Sequence, residues 1–301
     1  MEEGKPSTTA IGAAMVRAAH LLWDAPPKIF EDTLSLQLSG CESEAALRAQ
    51  FDRLDAQLAP RVGPDFSKSL RRHFGPSIVA RSRYLEDELE QAVKRGVSQY
   101  VILGAGLDSF AYRRKDLAKI VRVFEVDHPA TQAWKRDRLH DLAIELPPNL
   151  SLVPVDFEKQ SLINGLRQSG YQTDAPGLFS WLGVITYLTA DAIFDTLRTV
   201  AALAPGTEII FEYGVPREMC DEEGQKHFDL MMAATADDGE PWRSFFEPDK
   251  LAEKVRELGF AEVSDFGPDD MQARYFAGRT DGLRPTTFQH HMRARVGARS
   301  S

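Results

Sequence analysis

The sequence has few cysteines, no long apolar run and fewer basic than acidic residues. Cys41 and Cys220 are the two cysteines in 301 residues, too few for a disulfide framework. No run of 18 apolar residues and no N-terminal signal pattern occurs, so neither a membrane span nor secretion is expected. The net charge of −9 excludes the basic surface typical of nucleic-acid-binding proteins. We therefore expect a cytoplasmic protein without membrane or nucleic-acid partners.

Repeats, low-complexity tracts and the HExxH, GxSxG and Walker motifs are also absent. His290 and His291 have no other spaced ligands, so no metal site is predicted. A chain of 301 residues suits one α/β core with an appended cap.

The most informative stretch is LGAGLDSF and the residues just before it. Tyr100–Leu103 are apolar and β-branched or aromatic, which predicts a buried strand of a parallel sheet. The strand ends at a turn, Gly104-Ala105-Gly106, whose backbone N–H groups can approach a ligand closely. Asp108 then lies near the N-terminus of a predicted helix. This arrangement is typical of nucleotide binding.

A second predicted strand, Val121–Asp127, ends in two acids separated by one residue. Glu125 and Asp127 lie on one face of that strand, because strand side chains alternate. Asp127 follows the first glycine of the turn by about 20 residues, where an acid binds the two hydroxyls of a ribose. Asp127 is the first candidate for this contact and Glu125 the second.

The motif departs from a dinucleotide fingerprint, because Ser109 stands where the third glycine is required. Asp108 would repel a pyrophosphate but would attract an ammonium group, such as that of S-adenosylmethionine (SAM). A nicotinamide-dependent oxidoreductase remains one alternative. A non-catalytic protein that binds SAM in the same fold is the other.

Four segments resemble a known family: LGAGLDSFAYR, FEVDHP, VDFE and WLGVITYLT, in this order. They are similar to the leucine carboxyl methyltransferases, a family of class I SAM-dependent methyltransferases, and most to its bacterial branch of small-molecule O-methyltransferase-like proteins. The resemblance extends from TAIGAAMVRAAHLL to ARYFAGR, nearly the whole chain. It implies a Rossmann-like, mostly parallel seven-stranded sheet with helices on both faces, and SAM as the cofactor.

The resemblance also implies roles for four further residues. Arg81, with Arg17 as its partner, would hold the SAM carboxylate. Asp156 would accept from the adenine amino group, and the backbone N–H of Phe157 would donate to an adenine ring nitrogen. From the residues alone, Arg17 would be a solvated helix residue, Asp156 a turn residue and Phe157 a core residue.

The acceptor site is predicted at the end of the fourth strand. Tyr187 lies where ligands bind in open α/β sheets, either in the pocket or packed under the next helix. Apolar Phe228, Met231 and Met232 suggest a partly hydrophobic acceptor. We expect a small molecule, an organic acid or a phenolic metabolite. The family resemblance favours the acid, as does the chemistry, because a carboxylate is already ionised and no His or Asp is singled out as a base.

The domain prediction divides the chain into five parts: a helical lid at 1–95, a SAM-binding core at 96–213, a cap insertion at 214–248, the remainder of the core at 249–288 and a mobile tail at 289–301. The other predicted strands are Leu150–Val155, Leu178–Leu188 including its exit, Glu208–Tyr213, Phe260–Val263 and a short last strand at Ala273–Ala277.

Overall fold

The computed structural model describes residues 8–155, 161–235 and 242–298. Helices precede the first strand and then alternate with strands. Single-turn 3-10 or π segments occur at Leu70–Phe74, Ile185–Tyr187, Arg217–Met219 and Gln272–Phe276. The α-helices are α1 Thr8–Trp23, α2 Ser35–Leu38, α3 Glu44–Val62, α4 Phe66–Ser69, α5 Gly75–Lys94, α6 Phe110–Arg113, α7 Pro129–Asp141, α8 Leu162–Gln168, α9 Ala190–Ala201, α10 Glu222–Thr235, α11 Pro248–Glu257 and α12 Pro268–Met271. No helix within these ranges combines the length and apolarity needed to cross a membrane.

Seven strands in the described part of the chain form one sheet. They are β1 Gln99–Leu103, β2 Arg122–Asp127, β3 Leu150–Pro154, β4 Leu178–Trp181, β5 Glu208–Gly214, β6 Phe260–Phe266 and β7 Gln289–Val296. Their order in the sheet is β3-β2-β1-β4-β5-β7-β6. Neighbours are parallel except β7, which is antiparallel to both β5 and β6. The predicted Rossmann-like fold is confirmed.

The sheet has an apolar core on each face, because β1 and β5 are buried along their whole length. Val101 and Leu103 point to the face covered by α8, α9 and α11. Tyr100 and Ile102 point to the opposite face, where α5 and α7 pack. The alternation of strand side chains thus distributes one continuous apolar run over two cores.

The prediction of the last strand was wrong. The predicted strand at 273–277 lies almost entirely in the π-helical turn Gln272–Phe276, and the predicted mobile tail at 289–301 contains β7, Gln289–Val296.

The physical reason lies in the charges of β7, which conceal its alternating pattern. Met292, Ala294 and Val296 are buried between β5 and β6. The arginines between them bind acids of the neighbouring strands, Arg293 with Glu208 and Arg295 with Glu262. Strand β7 is therefore half apolar and half ion-paired.

Replacing Met292 by Ala tests this assignment. Met292 is fully buried, so we expect the free energy of unfolding to fall by about 2 to 5 kcal/mol, measured by urea denaturation. Met219→Ala is the matched control, because Met219 is 50% exposed and should tolerate the change. Equal stability of the two variants would contradict the burial of β7.

Candidate functional site

A cavity of about 470 Å³ lies at the carboxyl ends of β1, β2, β4 and β5. In open α/β sheets this edge is where ligands bind. The wall opposite the sheet is built by side chains of α1, α3, α5 and α10, so that helices before the first strand and the helix after β5 both contribute to it. The cavity brings together most of the residues singled out in the sequence.

The glycine turn after β1 forms the floor of the cavity. Gly104 and Ala105 donate their N–H groups to Val126 O at 2.9 and 3.1 Å, which holds the turn against β2. Gly104 has a φ of +67°, and a Cβ there would lie 2.5 Å from Val184 Cγ2. Both the backbone angle and the close contact require glycine at this position.

Asp127, at the end of β2, lines the cavity and binds the same turn. Its Oδ2 accepts from Gly106 N–H and its Oδ1 from His128 N–H, both at 2.6 Å. Burial raises the pKa of this carboxyl, although the two backbone N–H groups oppose the shift. A carboxylate has about four lone-pair positions, so Asp127 retains the capacity to accept from a ligand hydroxyl.

Asp108 also lines the cavity and lies two residues before the short helix α6. Its Oδ1 accepts from the N–H of Phe110, the first residue of that helix, at 2.7 Å. Its backbone carbonyl accepts from Lys135 Nζ at 2.7 Å. The glycine turn is therefore fixed from α7 as well as from β2.

Glu125 lies below the cavity and not in its wall, contrary to the prediction that it contacts the cofactor. Its Oε2 accepts from Lys135 Nζ at 2.6 Å, and both residues are 1% exposed. Burial raises the pKa of Glu125 to about 7, against the opposing charge of Lys135. The side chains of β2 alternate between its two faces, and Glu125 does lie on the same face as Asp127. Glu125 comes two residues earlier in the strand, however, where α7 covers it. Through Lys135 it supports the turn.

Arg17 lines the cavity from α1 and is anchored at two points. Its Nε donates to Asp32 Oδ2 and its Nη2 to Leu107 O, both at 2.8 Å. Burial would raise the pKa of Asp32, but Arg17 and Arg113 hold it below its ordinary value. Arg17 thus joins the first helix to the segment just after the glycine turn.

Arg81 lies at the cavity with an acid that the sequence analysis missed, Glu212. Arg81 Nη1 donates to Glu212 Oε2 at 2.6 Å. The guanidinium covers Gly183, where a Cβ would lie 2.9 Å from Nη2. Glu212 Oε2 also accepts from Gly183 N–H at 2.7 Å, and Gln289 Nε2 donates to its Oε1 at 2.5 Å. The sequence signal that could have identified Glu212 is the presence of an acid within the apolar strand residues IIFEYG.

Glu212 brings a carboxylate to the residues that follow β4. Leu182 and Gly183 follow β4, and both line the cavity with Glu212. The cavity therefore has three acids in the described residues: Asp108, Asp127 and Glu212.

The remaining predicted residues have different outcomes. Tyr187 lines the cavity from the turn Ile185–Tyr187 after β4. Of the three apolar residues on α10, Met231 lines the cavity, whereas Phe228 and Met232 pack into the core beside it. Asp156 and Phe157 lie outside the described residues.

This arrangement fits SAM. The glycine turn provides a floor that a side chain would fill, and the Asp127 carboxylate beside it retains acceptor capacity toward the cavity. The pair Arg81 and Glu212 places one positive and one negative group at the same cavity, as a bound amino acid requires.

Strand order and site together define a Rossmann-like SAM-dependent methyltransferase. Residues 10–201, more than half of the chain, match the sequence profile of the leucine carboxyl methyltransferase family. The chain belongs to this family, and its cofactor is SAM.

Two relatives illustrate the similarity. YktD of Bacillus subtilis (strain 168) is 29% identical over 303 residues, which cover 98% of this chain and 99% of the relative. FRAAL3718 of Frankia alni (strain DSM 45986 / CECT 9034 / ACN14a) is 32% identical over 196 residues, 65% of this chain and 64% of the relative. The names of both give them provisionally as SAM-dependent methyltransferases. These relatives favour the methyltransferase over the oxidoreductase alternative.

Solved structures share the fold at low identity. A Thermobifida fusca YX protein, described provisionally as a methyltransferase, aligns with a TM-score of 0.58 at 18% identity, covering 99% of this chain and 97% of that one. A DUF574 family protein from Streptomyces avermitilis MA-4680 aligns at 0.55 and 15% identity, covering 95% and 97%. At these identities the likeness concerns the fold alone.

Asp127→Ala tests the predicted ribose contact. Loss of a charged acceptor should weaken SAM binding by about 1.5 to 3 kcal/mol, measured by isothermal titration calorimetry. Asp137→Ala is the control, because Asp137 is exposed on α7 and should leave SAM affinity unchanged. Unchanged affinity in Asp127→Ala would remove Asp127 from the cofactor site.

Proposed function

We propose that this protein transfers the methyl group of SAM to a carboxylate oxygen of a small and partly hydrophobic organic molecule. The observation that carries the proposal is Trp242, an aromatic residue of the same cavity that contains the glycine turn. Its Nε1 is buried and has no hydrogen-bond partner in the described part of the chain. A buried donor without a partner costs about 1 to 3 kcal/mol, and we infer that an acceptor oxygen that reached this N–H from the cavity would offset that cost.

The cofactor would be held by residues from five elements. Gly104, Gly106 and Asp127 would contact the nucleoside, and Arg81 the carboxylate of the amino acid end, as the family resemblance implies. Glu212 would face the ammonium group, which makes the cavity complementary to both charges of a bound amino acid. Arg17 is bound to Asp32 and Leu107, so we assign it a role in positioning the turn as well as at the carboxylate.

The acceptor would lie beyond the glycine turn, against the apolar part of the cavity. Phe74, Met231, Trp242 and Phe288 provide that wall. Tyr187 stands at the end of β4 in the same cavity and is the residue we propose to contact the acceptor. A cavity of about 470 Å³ is in the range of small-molecule sites.

The groups that line the cavity support the proposed carboxylate preference. In the described residues the wall contains no histidine, lysine or cysteine. Its three acids, Asp108, Asp127 and Glu212, all accept hydrogen bonds from the protein. A phenol or alcohol would need a base to remove its proton, whereas a carboxylate is ionised at neutral pH.

The transfer itself requires little from the protein beyond alignment. SAM supplies a methyl group on a positively charged sulfur. The chain's own residues would align the acceptor oxygen and exclude water, which the helical wall over the sheet edge favours. We propose that the protein acts in the cytoplasm. Its two cysteines are free and buried, which agrees with a reducing compartment.

Arg81→Met tests the amino acid end of the cofactor site. Loss of a charge-assisted hydrogen bond should weaken SAM binding by about 1.5 to 3 kcal/mol by calorimetry. Arg83→Met is the matched control, since Arg83 lies two residues along α5 and its side chain is 49% exposed. If both variants bind SAM as the parent does, Arg81 is not a cofactor contact.

A product assay tests the proposed reaction. Small carboxylic acids and phenols are incubated with SAM, and methylated products are identified by mass spectrometry before and after mild base. We expect products that base hydrolyses, as methyl esters are. Base-stable methyl ethers would refute the carboxylate preference.

Two variants connect that assay to the cavity. Trp242→Phe keeps an aromatic ring but removes the N–H donor, so the KM for the acceptor should rise about 3- to 10-fold while SAM affinity is unchanged. Trp134→Phe, on α7 away from the cavity, is the control.

Tyr187→Ala should lower turnover, and undiminished turnover would remove Tyr187 from the acceptor site.

A further inference from the structure

A second cavity, of about 420 Å³, lies beside the start of α10. Its wall contains two histidines and three acids: His73, His227, Asp221, Glu223 and Asp269. None of these residues lines the SAM cavity. The proposed methyl transfer does not use them.

Three of these side chains converge. One potential ligand atom each from His73, Glu223 and His227 lies within 4.8 Å of the other two. His73 Nδ1 is 3.1 Å from Glu223 Oε1. The two imidazole rings are stacked, with centroids 3.9 Å apart and an interplanar angle of 24°. Three donors, two from α10 and one from the turn Leu70–Phe74, therefore face one small volume.

The convergence results from helix geometry. Glu223 and His227 are four residues apart on α10, so they lie one above the other on one face. His73 comes from the π-helical turn Leu70–Phe74 before α5 and meets that face. His73 is about 150 positions from Glu223 and His227 in the sequence, so the prediction of no metal site, made from the sequence, did not consider the three together.

We propose that His73, Glu223 and His227 form a site for a divalent transition-metal ion of the Zn²⁺ type. Imidazole nitrogen and carboxylate oxygen are ligands that Zn²⁺ takes at about 2.0 to 2.2 Å, and two His with one Glu leave a fourth position for water. Binding one ion would require the stacked rings to rotate so that one nitrogen of each points at the ion, and the three side chains are half-buried.

The surroundings of Glu223 are compatible with this role. Arg284 pairs with Glu223 Oε2, which leaves Oε1 directed at His73. Carboxylates that bind metals are commonly oriented by such a second partner. Asp221 is occupied, because its Oδ1 accepts from Gly224 N–H at 2.7 Å and from Thr287 Oγ1 at 2.8 Å. Arg284 is also a competitor, since its positive charge opposes a cation.

The ion would join two parts of the SAM cavity wall. Phe74 follows His73 directly, and Met231 lies one helical turn beyond His227; both line that cavity. Metal binding would therefore fix α10 to the turn before α5 and stabilise the proposed acceptor wall.

The test uses the full chain without an affinity tag, after treatment with a chelator. Zn²⁺ binding is measured by calorimetry, and Co²⁺ binding by its visible absorption, which reports coordination number. We expect one ion per chain and a higher Tm with Zn²⁺. His73→Ala and His227→Ala should each weaken Zn²⁺ binding by about 100-fold or more, since loss of an outer partner alone costs 10- to 100-fold.

Two further variants sharpen the result. His140→Ala should leave Zn²⁺ affinity unchanged, because its side chain is 91% exposed and lies outside the cluster. Arg284→Ala should raise Zn²⁺ affinity by removing the competing charge. The proposal is overturned if the parent does not bind Zn²⁺, or if His73→Ala and His227→Ala bind it as the parent does.

Discussion

The buried carboxylate of Glu212 is the interaction on which the geometry of the cavity at the carboxyl edge of the sheet depends. It is 4% exposed at the end of β5, and a buried charge is stable only with partners around it. The partners come from three other parts of the fold: Arg81 from α5, Gly183 after β4 and Gln289 from β7. Each is held in position by the same carboxylate. The spacing of helix, turn and strand around the cavity is thereby set.

The glycine turn is fixed by a second acid in the same manner. Asp127 holds Gly106 and His128 by their N–H groups, while Lys135 reaches the turn from below at the Asp108 carbonyl. Two acids at the ends of β2 and β5 therefore organise the two sides of the cavity. Both are hydrogen-bonded within the protein, so the cavity is formed before a ligand arrives.

Part of the arrangement around the cavity could be predicted from local sequence patterns. The apolar run of β1, the turn after it and the spacing to Asp127 are properties of one short segment. Glu212 and Arg81 could not be paired in advance, because they are separated by 131 positions in the chain and meet only after folding. Glu125 was misplaced for a related reason: alternation gives the face of a strand but not the depth at which a helix covers it.

The place of β7 in the sheet has a consequence for the growing chain. Strands β5 and β6 are not neighbours; β7 separates them, although it follows both in the sequence. During synthesis on the ribosome, one edge of β5 therefore stays without its partner until the later strand emerges. Gln289, which begins β7, also completes the partners of Glu212. The cavity at the carboxyl edge of the sheet is thus among the last parts of the molecule to mature, and a nascent chain that stops before β7 exposes an open sheet edge to aggregation.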